Sequence, residues 1–190
     1  MLLASRVTRW ALPIVAALGL AVPPAAQGIT YDVGYALTGN GWDYSGLTDG
    51  EGFVLGTHQA IGLQIPLVRS QTAIGSAEVG VRTAWVRIAY DDPEPGADST
   101  ASFPGIYGYW LSDLTSPGSA VGLSATAQLG YDVYNAEGAL VLAWVPHVAG
   151  GFGPIFRFGP VHARAHAMGQ LSSALQGVGV YLRFEASLGL

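Results

Sequence analysis

The stretch from Gly177 to Leu190, GVGVYLRFEASLGL, keeps a strict two-residue period. Val178, Val180, Leu182, Phe184, Ala186, Leu188 and Leu190 fall in one row, and Tyr181, Arg183, Glu185, Ser187 and Gly189 in the other. That period belongs to a β-strand, whose successive side chains point to opposite faces. One face of this strand is oily while the other carries an arginine and a glutamate. The oily face has to leave water, either into lipid or into the core of a β-domain.

The start of the chain bears on which. Residues 1–28 read as a secretory signal: Arg6 and Arg9 precede an apolar run from Trp10 to Val22, and Ala25, Ala26 and Gly28 are small enough for peptidase cleavage. A membrane-spanning helix needs ~20 apolar residues, and Pro13 weakens a helix further, so cleavage is expected rather than anchoring. Residues 29–190 are then one domain, long enough to bury a core. Cysteine is absent, which removes disulfides, thiolate metal sites and a cysteine nucleophile.

The charge balance excludes some partners. Six arginines (Arg69, Arg82, Arg87, Arg157, Arg164, Arg183) face 13 acids after the signal, and there is no lysine. Nucleic acid demands clustered cations, so it is not an expected partner. Charged residues make up 11% of the chain and hydrophobic ones 50%, where soluble domains carry about 25% charge. A surface turned to lipid has no need of charge.

Eight strands can be drawn. The first is Ile29 to Thr38, the second about Phe53 to Ile65 with Pro66 ending it, and the third about Ala77 to Tyr90. In the third, Ala77, Val79, Val81 and Trp85 oppose Glu78, Gly80 and Arg82, and a phase slip near Val86 suggests a bulge. The fourth is about Phe103 to Leu111, and the fifth, from Val121, alternates cleanly through Leu129 and Val133. A sixth, Leu140 to Ala149, is apolar on both faces. Ala149-Gly150-Gly151 reads as a turn into a seventh strand from Pro154 to Met168, and the terminal stretch is the eighth. An even count puts both ends of the domain on one side. The longest connections, 39–52 and 91–102, then fall on the other side, with Asp43, Asp49, Glu51, Asp91, Asp92, Glu94 and Asp98 in them.

With its signal segment, eight alternating stretches and GVGVYLRFEASLGL at the end, the chain resembles the small eight-stranded outer-membrane β-barrels of Gram-negative bacteria. Such barrels usually finish on an aromatic residue, whereas this chain finishes on Leu190. The resemblance implies an all-β fold, a single antiparallel up-and-down barrel, with outer-membrane lipid and the barrel-assembly machinery as partners. Closure follows independently from physics, because a sheet edge in hydrocarbon leaves amides unpaired.

Eight strands enclose a space that side chains fill. Asp32, Glu78, Asp132 and Glu185 are expected inside against Arg82, Arg157, Arg164 and Arg183, an ionic plug rather than an open pore, with Asp132 and Arg157 equally suited to the solvated rims. Arg87 falls on the lipid-facing row unless the slip near Val86 turns it inward. Tyr31, Trp85, Tyr109 and Tyr131 suit interfacial girdles or a core equally. His162-Ala163-Arg164-Ala165-His166 puts three polar side chains on one face of a strand, with the histidines ~13 Å apart and unable to share a metal. A helix would bring them together to chelate, but Phe156 to Phe158 and Gly159-Pro160 favour a strand. Glu78, Arg82, His162, Arg164, His166, Arg183 and Glu185 are therefore read as an interior polar cluster, without metal or cofactor. His58 and His147 are isolated and read as hydrogen-bonded neighbours rather than ligands.

Enzymatic signals are weak. No Gly-x-Ser-x-Gly elbow occurs. Some small outer-membrane barrels modify lipid A with a serine–histidine pair, but no histidine here begins a His-x-Ser sequence. The acidic stretch Asp91 to Asp98 lacks calcium-loop spacing. The expectation is a plugged outer-membrane barrel with a structural or envelope-interaction role through its outer loops. The alternatives are a soluble periplasmic or secreted barrel holding a hydrophobic ligand, and a membrane-embedded lipid A-modifying enzyme.

Overall fold

The computed structural model describes residues 28–38, 54–72, 75–90, 100–135, 142–172 and 177–188. They form eight strands: β1 (Gly28–Thr38), β2 (Val54–Thr72), β3 (Gly75–Tyr90), β4 (Thr100–Asp113), β5 (Val121–Asn135), β6 (Leu142–Phe158), β7 (Val161–Ser172) and β8 (Gly177–Leu188). Each strand pairs antiparallel with the next, and β1 pairs with β8, so the sheet closes into an up-and-down barrel. β1 begins at Gly28, the last residue assigned to the signal; residues 1–27 lie outside the described residues.

The ends of the barrel differ in their connections. At one end, which also holds the start of β1 and the end of β8, the strands are joined by residues 73–74, 114–120 and 159–160. We call this the turn end. At the opposite loop end the connecting segments are 39–53, 91–99, 136–141 and 173–176. Gly159, at φ 59°, takes the left-handed conformation at the first position of the two-residue turn with Pro160, which a glycine adopts without a Cβ clash.

Strand alternation sorts side chains cleanly. Ile29 and Tyr31 on β1, Leu129 and Tyr131 on β5, and Leu182 and Phe184 on β8 face outward and are exposed. Their strand neighbours Asp32, Asp132, Arg183 and Glu185 are buried within. Leu129 is 67% exposed and Arg183 0%. Relative to a water-soluble domain, the barrel is inside out.

Four features of the strands differ from the sequence expectation in ways that matter for the interior. Pro66 does not end β2; the strand runs on to Thr72, past its last pair with β1 (Gly28 with Gln64), through a register shift between Pro66 and Val68. A bulge absorbs the missing donor of proline where that edge of β2 has outrun β1. Ala149-Gly150-Gly151 is not a turn but the middle of a long β6, whose chain reverses only at Gly159-Pro160. The seventh strand accordingly starts at Val161, not Pro154. β3 has no phase slip at Val86: Arg82, Ala84, Val86 and Ile88 are all buried on one inward row, which leaves Arg87 outside.

Val86 and Ile88 point inward because the interior is not polar throughout. Near the loop end they pack with Ala36, Ala60, Ala84, Phe103, Tyr107 and Val145 into an apolar layer. Tyr109 also faces inward, with 2% exposure, and so belongs to no outer girdle. Tyr31 and Tyr131 are exposed on the outer face, and Trp85 is half-buried there.

Candidate functional site: the polar interior

Below the apolar layer, side chains from seven strands build a mid-barrel network. Asp32 on β1 is its hub. Arg183 on β8 donates to both Asp32 oxygens, Nε to Oδ1 at 2.9 Å and Nη2 to Oδ2 at 3.0 Å. Arg82 on β3 donates from Nη2 to Oδ2 at 2.9 Å and from Nε to Thr30 Oγ1 at 3.0 Å. Two guanidiniums thus share one carboxylate. Fork-shaped donors suit this sharing, since arginine presents several N–H groups in one plane.

The backbone makes room for this arrangement. Gly62 on β2 faces Arg82; a Cβ there would lie 2.5 Å from Thr30 Oγ1 and 2.9 Å from Arg82 Nε. The guanidinium occupies the space a side chain would fill. Arg82 also lies over the Tyr107 ring, and Arg183 over Tyr181, each 5.6 Å from the centroid.

The network crosses the barrel. Arg82 Nη1 reaches Gln128 Oε1 at 3.4 Å, and Gln128 Nε2 lies 2.9 Å from His147 Nε2. His147 Nδ1 is 3.1 Å from Asp132 Oδ2, and Tyr107 donates its hydroxyl proton to Asp132 Oδ1 at 2.5 Å. His58 on β2 stacks on Tyr181 at 4.9 Å, with both ring nitrogens unpartnered among the described residues.

Toward the turn end lies a second cluster. Arg164 on β7 bonds Glu185 at 2.6 Å and Ser187 at 2.9 Å, and pairs with Asp113 at 3.3 Å. Arg157 lies 3.5 Å from Asp113 and donates to the Ser119 carbonyl at 2.8 Å, clamping the 114–120 turn against the barrel. Tyr109 donates a hydrogen bond to Glu78, which also accepts from Arg69 Nε at 2.6 Å. Between these groups a cavity of about 360 Å³ is lined by Arg69, Glu78, Asp113, Arg157, His162 and Arg164, among others. Among the described residues no group of histidines and acids is arranged to hold a metal.

Of the residues assigned to the interior cluster, Arg82, Arg164, His166, Arg183 and Glu185 are buried inside, and Glu78 and His162 are half-buried toward the turn end. They divide between two networks: Arg82 and Arg183 join the first, Glu78, Arg164 and Glu185 the second, and His162 lines the cavity. The stretch 162–166 is strand, with all three polar side chains on the inward row. Asp113 lies beyond the expected end of the fourth strand at Leu111, yet it accepts from Arg164 and Ser76 and ends β4. Its place two residues beyond inward-facing Leu111 is the signal that would have found it. Asp43, Asp49, Glu51, Asp91, Asp92, Glu94 and Asp98 lie outside the described residues, in segments that connect strands at the loop end.

One contact is invisible in the sequence. Ser124 Oγ on β5 lies 2.8 Å from His166 Nε2 on β7, although β6 runs between those strands. Gly153 of β6 stands in the gap, where a Cβ would come within 1.8 Å of the Ala165 carbonyl. Both side chains are fully buried, Ser124 is also within 3.3 Å of the Gly153 carbonyl, and His166 Nδ1 has no partner among the described residues. The pair is a buried polar contact that bridges two strands not adjacent in the sheet.

Searches against models of protein families and against curated proteins find no match for this chain.

Proposed function

We propose that the protein is a small outer-membrane β-barrel with a plugged interior, acting as a structural or envelope-interaction element through its loop-end segments. The observation that carries this reading is the inverted distribution of side chains: paired arginines and acids in the middle, with leucine, isoleucine, valine and aromatic rows outside. Soluble monomers rarely expose a continuous apolar face larger than a few hundred Å². Here exposed apolar residues lie on every strand from β1 to β8. A hydrophobic-ligand carrier would need those rows turned inward, and the interior layer at the loop end is filled by its own side chains.

An interior packed with ion pairs also favours a scaffold over a pore. Asp32, Glu78, Asp113, Asp132 and Glu185 each accept from a side-chain donor on another strand. The function then resides in what the barrel holds at the cell surface. Fractionation tests the reading. Extraction that requires detergent, with a compact gel form that slows after boiling, is the expected result. Release by osmotic shock without detergent would refute it.

A further inference from the structure

Among the described strand residues, Arg87 is the one charged side chain on the outward face, and it has no ion pair or side-chain hydrogen bond there. The strand register gives it particular neighbours. Gln59 on β2 and Ser102 on β4 sit directly opposite Arg87, at cross-strand positions whose Cβ atoms lie about 5 Å apart. One outward step toward the turn end, Ile61, Trp85 and Pro104 form the next row. A polar trio of amide, guanidinium and hydroxyl therefore caps an apolar trio.

Its height is informative as well. On β4 the outward residues between Ser102 and Ser112 are Pro104, Ile106, Gly108 and Trp110. From Ser102 to Ser112 a strand tilted ~40° climbs about 25 Å along the barrel axis, the height of a barrel's apolar band. Ser102 and Arg87 accordingly lie at the loop-end edge of that band, where lipid phosphates begin.

We propose that Arg87, Gln59 and Ser102 form a binding site for the phosphate of an anionic membrane lipid, with the acyl chains lying over Ile61, Trp85 and Pro104. This inference rests on the membrane reading above. A guanidinium forks onto phosphate through two parallel N–H groups, which a lysine ammonium cannot match. The amide of Gln59 and the hydroxyl of Ser102 add neutral donors on either side.

The test uses the full barrel refolded in zwitterionic micelles and titrated with equal amounts of phosphatidylglycerol and phosphatidylcholine bearing identical acyl chains. Native mass spectrometry reads the bound lipid. Wild type should retain phosphatidylglycerol in about tenfold preference, as expected for one charge-assisted contact. R87Q should bring the ratio near one, R87K should restore part of it, and S102A should reduce it modestly. Equal retention of both lipids by wild type, or an unchanged ratio in R87Q, overturns the proposal. Refolding of both proteins into phosphatidylcholine vesicles separates the two readings. A wild type that fails to insert overturns the membrane assignment and this site together, whereas insertion without lipid preference overturns this site alone.

Discussion

Replacing Asp32 with asparagine should destabilise the barrel more than any other single isosteric change in the interior. The carboxylate accepts three hydrogen bonds from two arginines, at 2.9, 2.9 and 3.0 Å. An asparagine of the same shape keeps one oxygen acceptor and turns an NH₂ group toward a donor. Arg82 and Arg183 are then left facing each other without the intervening negative charge. Removing one partner of a buried ion pair costs about 3–5 kcal/mol, a large part of the ~5–15 kcal/mol that holds a typical domain together. R183M should cost less, because it leaves the Asp32–Arg82 pair intact and also removes Arg183 Nη1, which is buried without a partner among the described residues. The double variant D32N/R183M should be less damaged than the sum of the two by about 1–3 kcal/mol. Urea titration of the barrel in phosphatidylcholine vesicles, read as the fraction of compact gel form, measures all three. A D32N midpoint within about 0.5 kcal/mol of wild type would refute the claim that Asp32 neutralises both cations.

Other consequences can be checked with the same assay. Ile106, on the outward row of β4 midway between Ser102 and Ser112, should lose about 2–4 kcal/mol on conversion to arginine; in a water-exposed strand that change would be close to neutral. Y107F removes the donor to Asp132 and should cost about 1.5–3 kcal/mol, and an unchanged midpoint would mean the hydroxyl contributes nothing. G153A should disrupt the approach of β6 to the Ala165 carbonyl and lower stability by about 1–3 kcal/mol, detectable as a loss of amide protection along β6 and β7.

Much of this fold is legible in the residues because a barrel wall needs only alternation. The rows through Leu129, Leu182 and Arg183 are placed by period alone, and so is the inward set of Arg82, Arg164 and Glu185. Three features escape for a common reason: they depend on which residues of other strands lie close by. Gly150 and Gly151 look like a turn, but Gly151 lies where a Cβ would come within 2.2 Å of the Ala167 carbonyl, so β6 and β7 run too close there for a side chain. Val86 and Ile88 look out of phase only if the whole interior is taken as polar, whereas an apolar layer with Phe103 receives them. The contact between Ser124 and His166 spans an intervening strand, and no local spacing encodes it. Asp113 escapes for a local reason: Thr115-Ser116-Pro117-Gly118-Ser119 follows it with the composition of a turn, which places the end of the strand too early.

The bond between Asp32 and Arg183 joins residues 151 positions apart, on the first and last strands. Contacts this distant in sequence form late, after the intervening chain has been ordered. Until β8 arrives, Asp32 has one of its two cations and β1 shows an unpaired edge. Completion of the hub and sealing of the wall are thus a single event. A barrel without β8 loses both at once, so one strand carries the closure of the wall and the charge balance of its interior together.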